Sequence, residues 1–171
     1  DKKNDKELAF VWIVDFPMFE YKPGDKRWAA VHHPFTAIQD EDLSKLGEEK
    51  KMSQIKAKQY DLVLNGNEVA GGSIRTHDPK ILQQVFEVLK HSQADIQNKF
   101  GHLLEAFKYG VPPHGGIAFG LDRFLMVLAG ESSIREVIAF PKTSDNRDPL
   151  MDSPAEVSKE QLDELGIKFK K

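Results

Sequence analysis

Cysteine is absent from the 171 residues, which excludes disulfides, thiolate metal centres and a thiol nucleophile. Long apolar runs are missing too: Phe10 to Val14 and Phe124 to Ala129 fall far short of the ~20 residues that a membrane span requires. Residues 1–7 are charged, without the apolar centre of a secretory leader, so a cytoplasmic setting with no membrane partner is expected. An excess of one charge is also lacking. The 24 basic and 27 acidic residues give a net charge of -3, which rules out a broadly basic nucleic-acid coat but leaves room for a local basic patch. What is present, 40% hydrophobic and 30% charged residues, is enough to bury the core of one domain.

Several segments read directly as elements. After the charged linker at 1–7, Leu8 to Val14 has the apolar, β-branched character of a buried strand. Pro23-Gly24-Asp25 is turn chemistry, and Trp28 to His33 reads as a second strand able to form a hairpin with the first. Residues 38–58 are dominated by charge and are expected to form a solvated surface excursion. Tyr60 to Leu64, Asn65-Gly66 and Asn67 to Thr76 spell a hairpin, with Gly71-Gly72 suggesting a bulge or the close approach of another backbone or a ligand. Asp78-Pro79 should cap a helix with an apolar stripe of Ile81, Leu82, Val85, Phe86 and Leu89. A second helix follows from about Ala94 to a stop at Gly110. Gly116 to Gly120 reads as a strand, Asp122 to Ala129 as a helix, Val137 to Phe140 as a strand, and 145–171 as a polar surface tail. Hairpins mixed with helices, without a repeating βαβ series, give an α+β fold with an antiparallel sheet flanked by helices.

Chemistry concentrates in three places. A two-residue turn at Asn65-Gly66 pairs Leu64 with Asn67, Val63 with Glu68 and Asp61 with Ala70, so Asp61 and Glu68 share a face. They are either a site for a hard cation or two solvated rim carboxylates. Arg75 stands an odd number of positions from Glu68; a bulge at Gly71-Gly72 would reverse that parity and make it a clamp for a carboxylate ligand, or merely a neutraliser of Glu68. His32-His33 point to opposite faces if on a strand, and no His-x-x-x-His zinc spacing lies nearby. Third, Gly115 to Arg123 is a glycine-rich strand entering a helix, without the Gly-Lys-Ser/Thr ending of a P-loop. Arg123, in the first helical turn, opposes the macrodipole and so suggests an anionic partner such as phosphate, with Asp122 as the alternative partner.

The run Pro112-Pro113-His114-Gly115-Gly116-Ile117-Ala118-Phe119-Gly120-Leu121-Asp122-Arg123 resembles motif 3 of class II aminoacyl-tRNA synthetases. Asp15 to Glu20, His32-His33-Pro34-Phe35-Thr36, Asp61 through Arg75, and Val137 to Thr143 resemble the bacterial-type aspartyl-tRNA synthetases, in the same order and over nearly the whole chain. The resemblance implies part of a class II catalytic fold and an ATP-dependent ligase that joins L-aspartate to tRNA(Asp) through aspartyl-adenylate. It implies that His32 and Arg75 hold aspartate and that Asp61 and Glu68 hold Mg2+. It further implies that Glu68, Gly120, Leu121, Asp122 and Arg123 contact ATP, with Arg123 and Glu68 in the catalytic role. A homodimer is implied for the whole enzyme.

Nothing in the chain resembles motif 1, motif 2 or an anticodon-binding domain, so residues 1–171 are expected to be the C-terminal segment of the catalytic domain and inactive alone. Ala70 stands where these enzymes often carry a third glycine. Two other readings remain: an enzyme of the same fold without a tRNA step, and a non-catalytic module that keeps only the fold.

Overall fold

The Asn65-Gly66 turn sets the frame of the sheet. Both residues have positive φ, 48° and 83°, the geometry that follows the natural twist of two antiparallel strands. The computed structural model describes residues 7–170, so most of the 1–7 linker lies outside the described residues. On either side of the turn run β4 (Gln59–Leu64) and β5 (Asn67–Ile74). β1 (Phe10–Val14) pairs with β4 and β6 (Gly115–Phe119) with β5, giving an antiparallel sheet in the order β1-β4-β5-β6.

Two pairing expectations give way here. β1 does not form a hairpin with the segment after Pro23. That turn instead joins β2 (Phe19–Lys22) to β3 (Arg27–Ala30) in a separate two-stranded sheet, closed by the Asp25 and Lys26 N–H groups donating to the Lys22 and Pro23 carbonyls. β3 ends at Ala30, so His32 and His33 sit in the bend beyond it and not on a strand. Nor is β1 buried: Phe10, Trp12 and Val14 on one face and Val11 and Ile13 on the other are each between 41% and 57% exposed. Its apolar pattern is that of a strand covered on both faces, and among the described residues β4 is the one strand that pairs with it, along one edge.

Helix α1 (Pro79–Val88) starts as expected, with the Asp78 carboxylate accepting from the Lys80 and Ile81 N–H groups and proline in the first turn. Its stripe serves two cores. Val85 and Leu89 join Met18, Phe19, Ile38, Met52, Ile55 and Ala57. Leu82 and Phe86 pack with Ile96 of α2 (Gln93–Phe107) and with Phe35 and Phe100. Phe86 stacks on Phe100, with centroids 4.4 Å apart. α3 (Leu121–Ala129) follows β6 and closes on Gly130 at φ 73°. The expected strand at Val137–Phe140 is not formed; a short 3-10 turn at Ile134–Glu136 runs into irregular chain. Four apolar residues ahead of a proline satisfy a strand pattern, but among the described residues no strand supplies a ladder. The exposed tail carries α4 (Lys159–Glu164), begun by a reciprocal Ser158–Gln161 cap. No described helix is long and apolar enough to cross a membrane.

The segment 38–58 departs furthest from expectation. Its charges are largely solvated, yet Ile38, Met52, Ile55 and Ala57 are at most 2% exposed and form much of the first core. Two 3-10 turns, Asp40–Lys45 and Glu49–Gln54, replace the periodic helix that would have advertised an apolar face. Asp42 ties them down: its buried carboxylate accepts from the Lys45 ammonium at 2.6 Å and from the Lys56 backbone N–H at 2.8 Å. Those two hydrogen bonds hold its pKa below the usual range, against the opposing pull of burial. Its contribution to stability is therefore present above the unfolded-state pKa and is lost as pH falls through the lowered folded value. We expect Asp42→Asn to cost about 1–3 kcal/mol at neutral pH, with the difference from the parent closing below about pH 4. Thermal denaturation across that range tests it, and equal midpoints at neutral pH would refute the clamp.

Candidate functional site

The register of β4 against β5 builds the site. Val63 faces Glu68, but Leu62 faces Ala70, so Val69 is an extra residue bulged out of the ladder. The bulge lies at Val69 and not at Gly71-Gly72, and Asp61 pairs with Gly71 instead of the expected Ala70. Its effect on parity is nevertheless the one required. Beyond Val69 the alternation is reset, and Gly71, Ser73 and Arg75 fall on the face that carries Asp61 and Glu68.

Small residues leave that face open. At Gly71 an added Cβ would lie 2.7 Å from Asp61 Oδ1 and 3.4 Å from Glu68 Oε1, so both carboxylates lean over one backbone position. Gly72, on the opposite face, is needed for a different reason: a Cβ there would stand 2.0 Å from the Gly116 carbonyl oxygen of β6. On the open face β6 presents Gly116 and Ala118, opposite Ser73 and Gly71. The result is a cleft of about 210 Å³ whose walls include Glu68, Gly71, Ala118, Gly120, Asp122 and Arg123.

Arg123 enters this cleft from the first turn of α3. Its Nη1 lies 3.5 Å from Glu68 Oε2 and donates to the Glu68 backbone carbonyl at 3.3 Å. The anionic partner within the chain is therefore Glu68, not Asp122, and Gly120, without a side-chain cap, occupies the N-cap position. Burial first, and then the charge of Glu68, push the Asp61 pKa up, while Gln59 and His32 act in the opposite direction. Two close carboxylates, one of them reluctant to ionise, suit a cation that can neutralise both. Among the described residues no group of three or more potential metal ligands occurs. A pair fits Mg2+, which is commonly held by one or two carboxylates together with substrate phosphates.

Arg75 lies at the other end of the same face. Its backbone N–H donates to the His114 carbonyl at 2.9 Å, and it forms an isolated bridge with Thr36. Its Nη1 is buried without a hydrogen-bond partner among the described residues. Leaving such a donor unpaired typically costs about 1–3 kcal/mol, more for a charged group. It borders a cavity of about 390 Å³ whose walls include His33, Phe35, Leu103, Phe107 and His114. His33 and His114 were not among the expected site residues. His33 accepts the Phe35 N–H through Nδ1 at 3.2 Å, and burial, Arg75 and His32 lower its pKa, favouring the neutral ring. The Pro-Pro-His sequence was the available signal for His114, whose Nδ1 lies 2.9 Å from the Pro112 carbonyl oxygen. His32 does not border this cavity; it bears on the Asp61 end through its charge.

Comparison with known proteins identifies the family. The family of tRNA synthetases class II (D, K and N) matches residues 2–144. The chain belongs to this family. It is 54% identical over 165 residues to an aspartate–tRNA(Asp/Asn) ligase of Thermoanaerobacter sp. (strain X514), covering 96% of the chain and 28% of the relative. It is 57% identical over 159 residues to the aspartate–tRNA(Asp/Asn) ligase of Geotalea uraniireducens, covering 93% and 26%. With an aspartate–tRNA ligase of Clostridium tetani the identity is 50%, over 99% of the chain and 28% of the relative. The chain thus spans little more than a quarter of the relatives it matches. Among solved structures, an aspartyl-tRNA synthetase from Entamoeba histolytica superimposes with a TM-score of 0.58 at 26% identity, over 82% of this chain and 24% of that one. An asparaginyl-tRNA synthetase from Pyrococcus horikoshii gives 0.59 at 19% identity, over 82% and 28%, which speaks to the fold alone. The class II synthetase sheet is therefore present in this chain in part.

The two neighbouring glycines should respond differently to alanine. In Gly72→Ala the new methyl meets backbone, and we expect a loss of about 2 kcal/mol or more. In Gly71→Ala it meets a movable carboxylate, so stability should change by less than about 1 kcal/mol. Denaturation curves check both; equal destabilisation would contradict the geometry.

Asp61→Asn should raise the thermal midpoint at neutral pH in the absence of divalent cation. A carboxylate with a raised folded pKa makes stability decline as pH rises from the unfolded value through the folded one, and the amide removes that penalty. A lowered midpoint across this range would overturn the assigned origin of the shift.

Proposed function

We propose that this chain is part of an aspartate–tRNA ligase that activates L-aspartate with ATP and passes it to the 3′ end of tRNA(Asp). The observation that carries the reading is the buried, unpartnered Nη1 of Arg75 on the sheet face that also bears Asp61, Glu68 and Gly71. The curated relatives, at 50–57% identity, support the same reading.

In this reading Arg75 grips the side-chain carboxylate of aspartate. An asparagine amide would leave the half-buried guanidinium, with its buried Nη1, without an opposite charge, so selectivity follows from the penalty for an unmatched group. His32, which does not border the Arg75 cavity, would close the amino-acid pocket from the Asp61 end. Gly120, Leu121 and Asp122 lie along the nucleotide, and Arg123 takes a phosphate in exchange for Glu68. Asp61 and Glu68 would hold Mg2+, which when bound supplies neutralisation of phosphate charge. With aspartate and ATP fixed at the two ends of one face, an α-carboxylate oxygen attacks the α-phosphorus and pyrophosphate departs. The terminal ribose hydroxyl of tRNA then bonds to the activated carbonyl carbon, the bond to phosphate breaks, and AMP leaves with the electron pair. Catalysis rests on positioning and on charge placed in advance, with no covalent enzyme intermediate. The α-phosphate arginine of motif 2 has no counterpart in these residues. Loss of one such donor typically costs ~10²–10³-fold in rate, so the chain alone is read as inactive. The complete enzyme is read as a homodimer.

Arg75→Leu in the full-length enzyme should abolish use of aspartate while leaving ATP affinity within about threefold, because truncating one partner of a buried charge pair costs roughly 2–5 kcal/mol. Pyrophosphate exchange with each substrate varied in turn measures this. Unchanged aspartate kinetics would remove Arg75 from the role.

A further inference from the structure

A second groove, of about 560 Å³, opens beside the Arg123 cleft, and the two share Ile134 as a wall. Its other walls include Arg135, Ile138, Phe140, Lys142 and Asn146, and no acidic side chain lines it. Phe140 is 68% exposed. Among the described residues neither Arg135 nor Lys142 is held in an ion pair. Asp145 accepts from the Thr143 hydroxyl, and Arg147 lies 3.7 Å from Asp152. The segment is fixed in place, since the Ser133 hydroxyl caps the Ile134–Glu136 turn, Thr143 Oγ1 accepts the Arg147 N–H, and the Thr143 backbone N–H donates to the Arg147 carbonyl.

We propose that this groove is a landing site for the single-stranded 3′ end of the RNA substrate, with a base stacked on Phe140 and the phosphates carried by Lys142 and Arg135. The inference rests on the ligase reading and adds the surface by which the acceptor strand would reach the adenylate. A ring that stacks a base, flanked by unpaired cations and without acids, is the combination that holds single-stranded nucleic acid whatever its sequence. It is less suited to an apolar protein segment, which would bury both cations without a counter-charge. Continuity with the cleft at Ile134 supplies the connection, because a terminal ribose must reach the activated carbonyl while the preceding nucleotides remain held outside.

The full-length enzyme, assayed separately for pyrophosphate exchange and for transfer to tRNA, tests the proposal. Phe140→Ala should weaken tRNA, read as its KM in transfer, by about 5- to 100-fold, the range that loss of one stacked base implies, with exchange kept within about twofold of the parent. Phe140→Trp should restore transfer to within about threefold, since the indole face also stacks. Lys142→Ala should lower the salt dependence of tRNA binding by roughly 0.7 in the log–log slope. Exchange falling in step with transfer would overturn the proposal, because the groove would then serve ATP or the fold. Transfer unaffected in Phe140→Ala would overturn it equally, as expected if another part of the enzyme covers the groove. An unsubstituted enzyme without aspartate-dependent exchange would instead refute the ligase reading itself.

Discussion

One extra residue in a β-ladder arranges everything of chemical interest in this chain. Without the bulge at Val69, strict alternation would send Arg75 to the opposite face from Glu68. With it, carboxylates and guanidinium address the same side, separated by the glycine at 71 and the serine at 73. The bulge is stabilised from both sides. Val69 itself is buried at 1% exposure, and its carbonyl accepts the Gly120 N–H that starts α3. The element that delivers Arg123 is thus hydrogen-bonded to the same irregular residue that delivers Arg75.

The electrostatics of the two ends differ. At the carboxylate end like charges are held close and partly buried, which raises the proton affinity of Asp61, and Arg123 relieves only Glu68. At the Arg75 end a half-buried guanidinium is held in no ion pair among the described residues, and its neighbour His33 is pushed towards neutrality. The carboxylate end thus holds two acids against the single Arg123 guanidinium, while at the Arg75 end one buried N–H group has no partner among the described residues.

How far the sequence revealed this depended on whether local chemistry or distant packing decided each element. Asn65-Gly66 and Asp78-Pro79 carry their backbone geometry in the residues themselves, and both are where they were expected. The shared face of Asp61 and Glu68 followed from the turn as well. The position of the bulge did not, because a glycine pair is the more visible irregularity, whereas Val69 looks like an ordinary strand residue. Gly71 and Gly72 are there for contacts made by Asp61 and Gly116, which are far from them in sequence. The partner of β1 and the buried residues of 38–58 were hidden for a related reason. The first depends on a strand some fifty positions away, and the second on 3-10 turns, whose period differs from the helical one.

Helix α1 has a consequence for how the protein can vary. Leu82, Val85, Phe86 and Leu89 lie on a single stripe, yet they feed two separate cores. One of these contains Phe35, whose neighbour in the chain bridges to Arg75; the other contains Ala57, two residues before the strand of Asp61. A volume change in either core shifts or rotates the same short rod, so it is felt in the other. Substitutions in the two cores should therefore be epistatic although their side chains do not touch, departing from the additivity usual for separated sites. Sequence drift on one side of the helix would then be permitted only alongside compensating drift on the other.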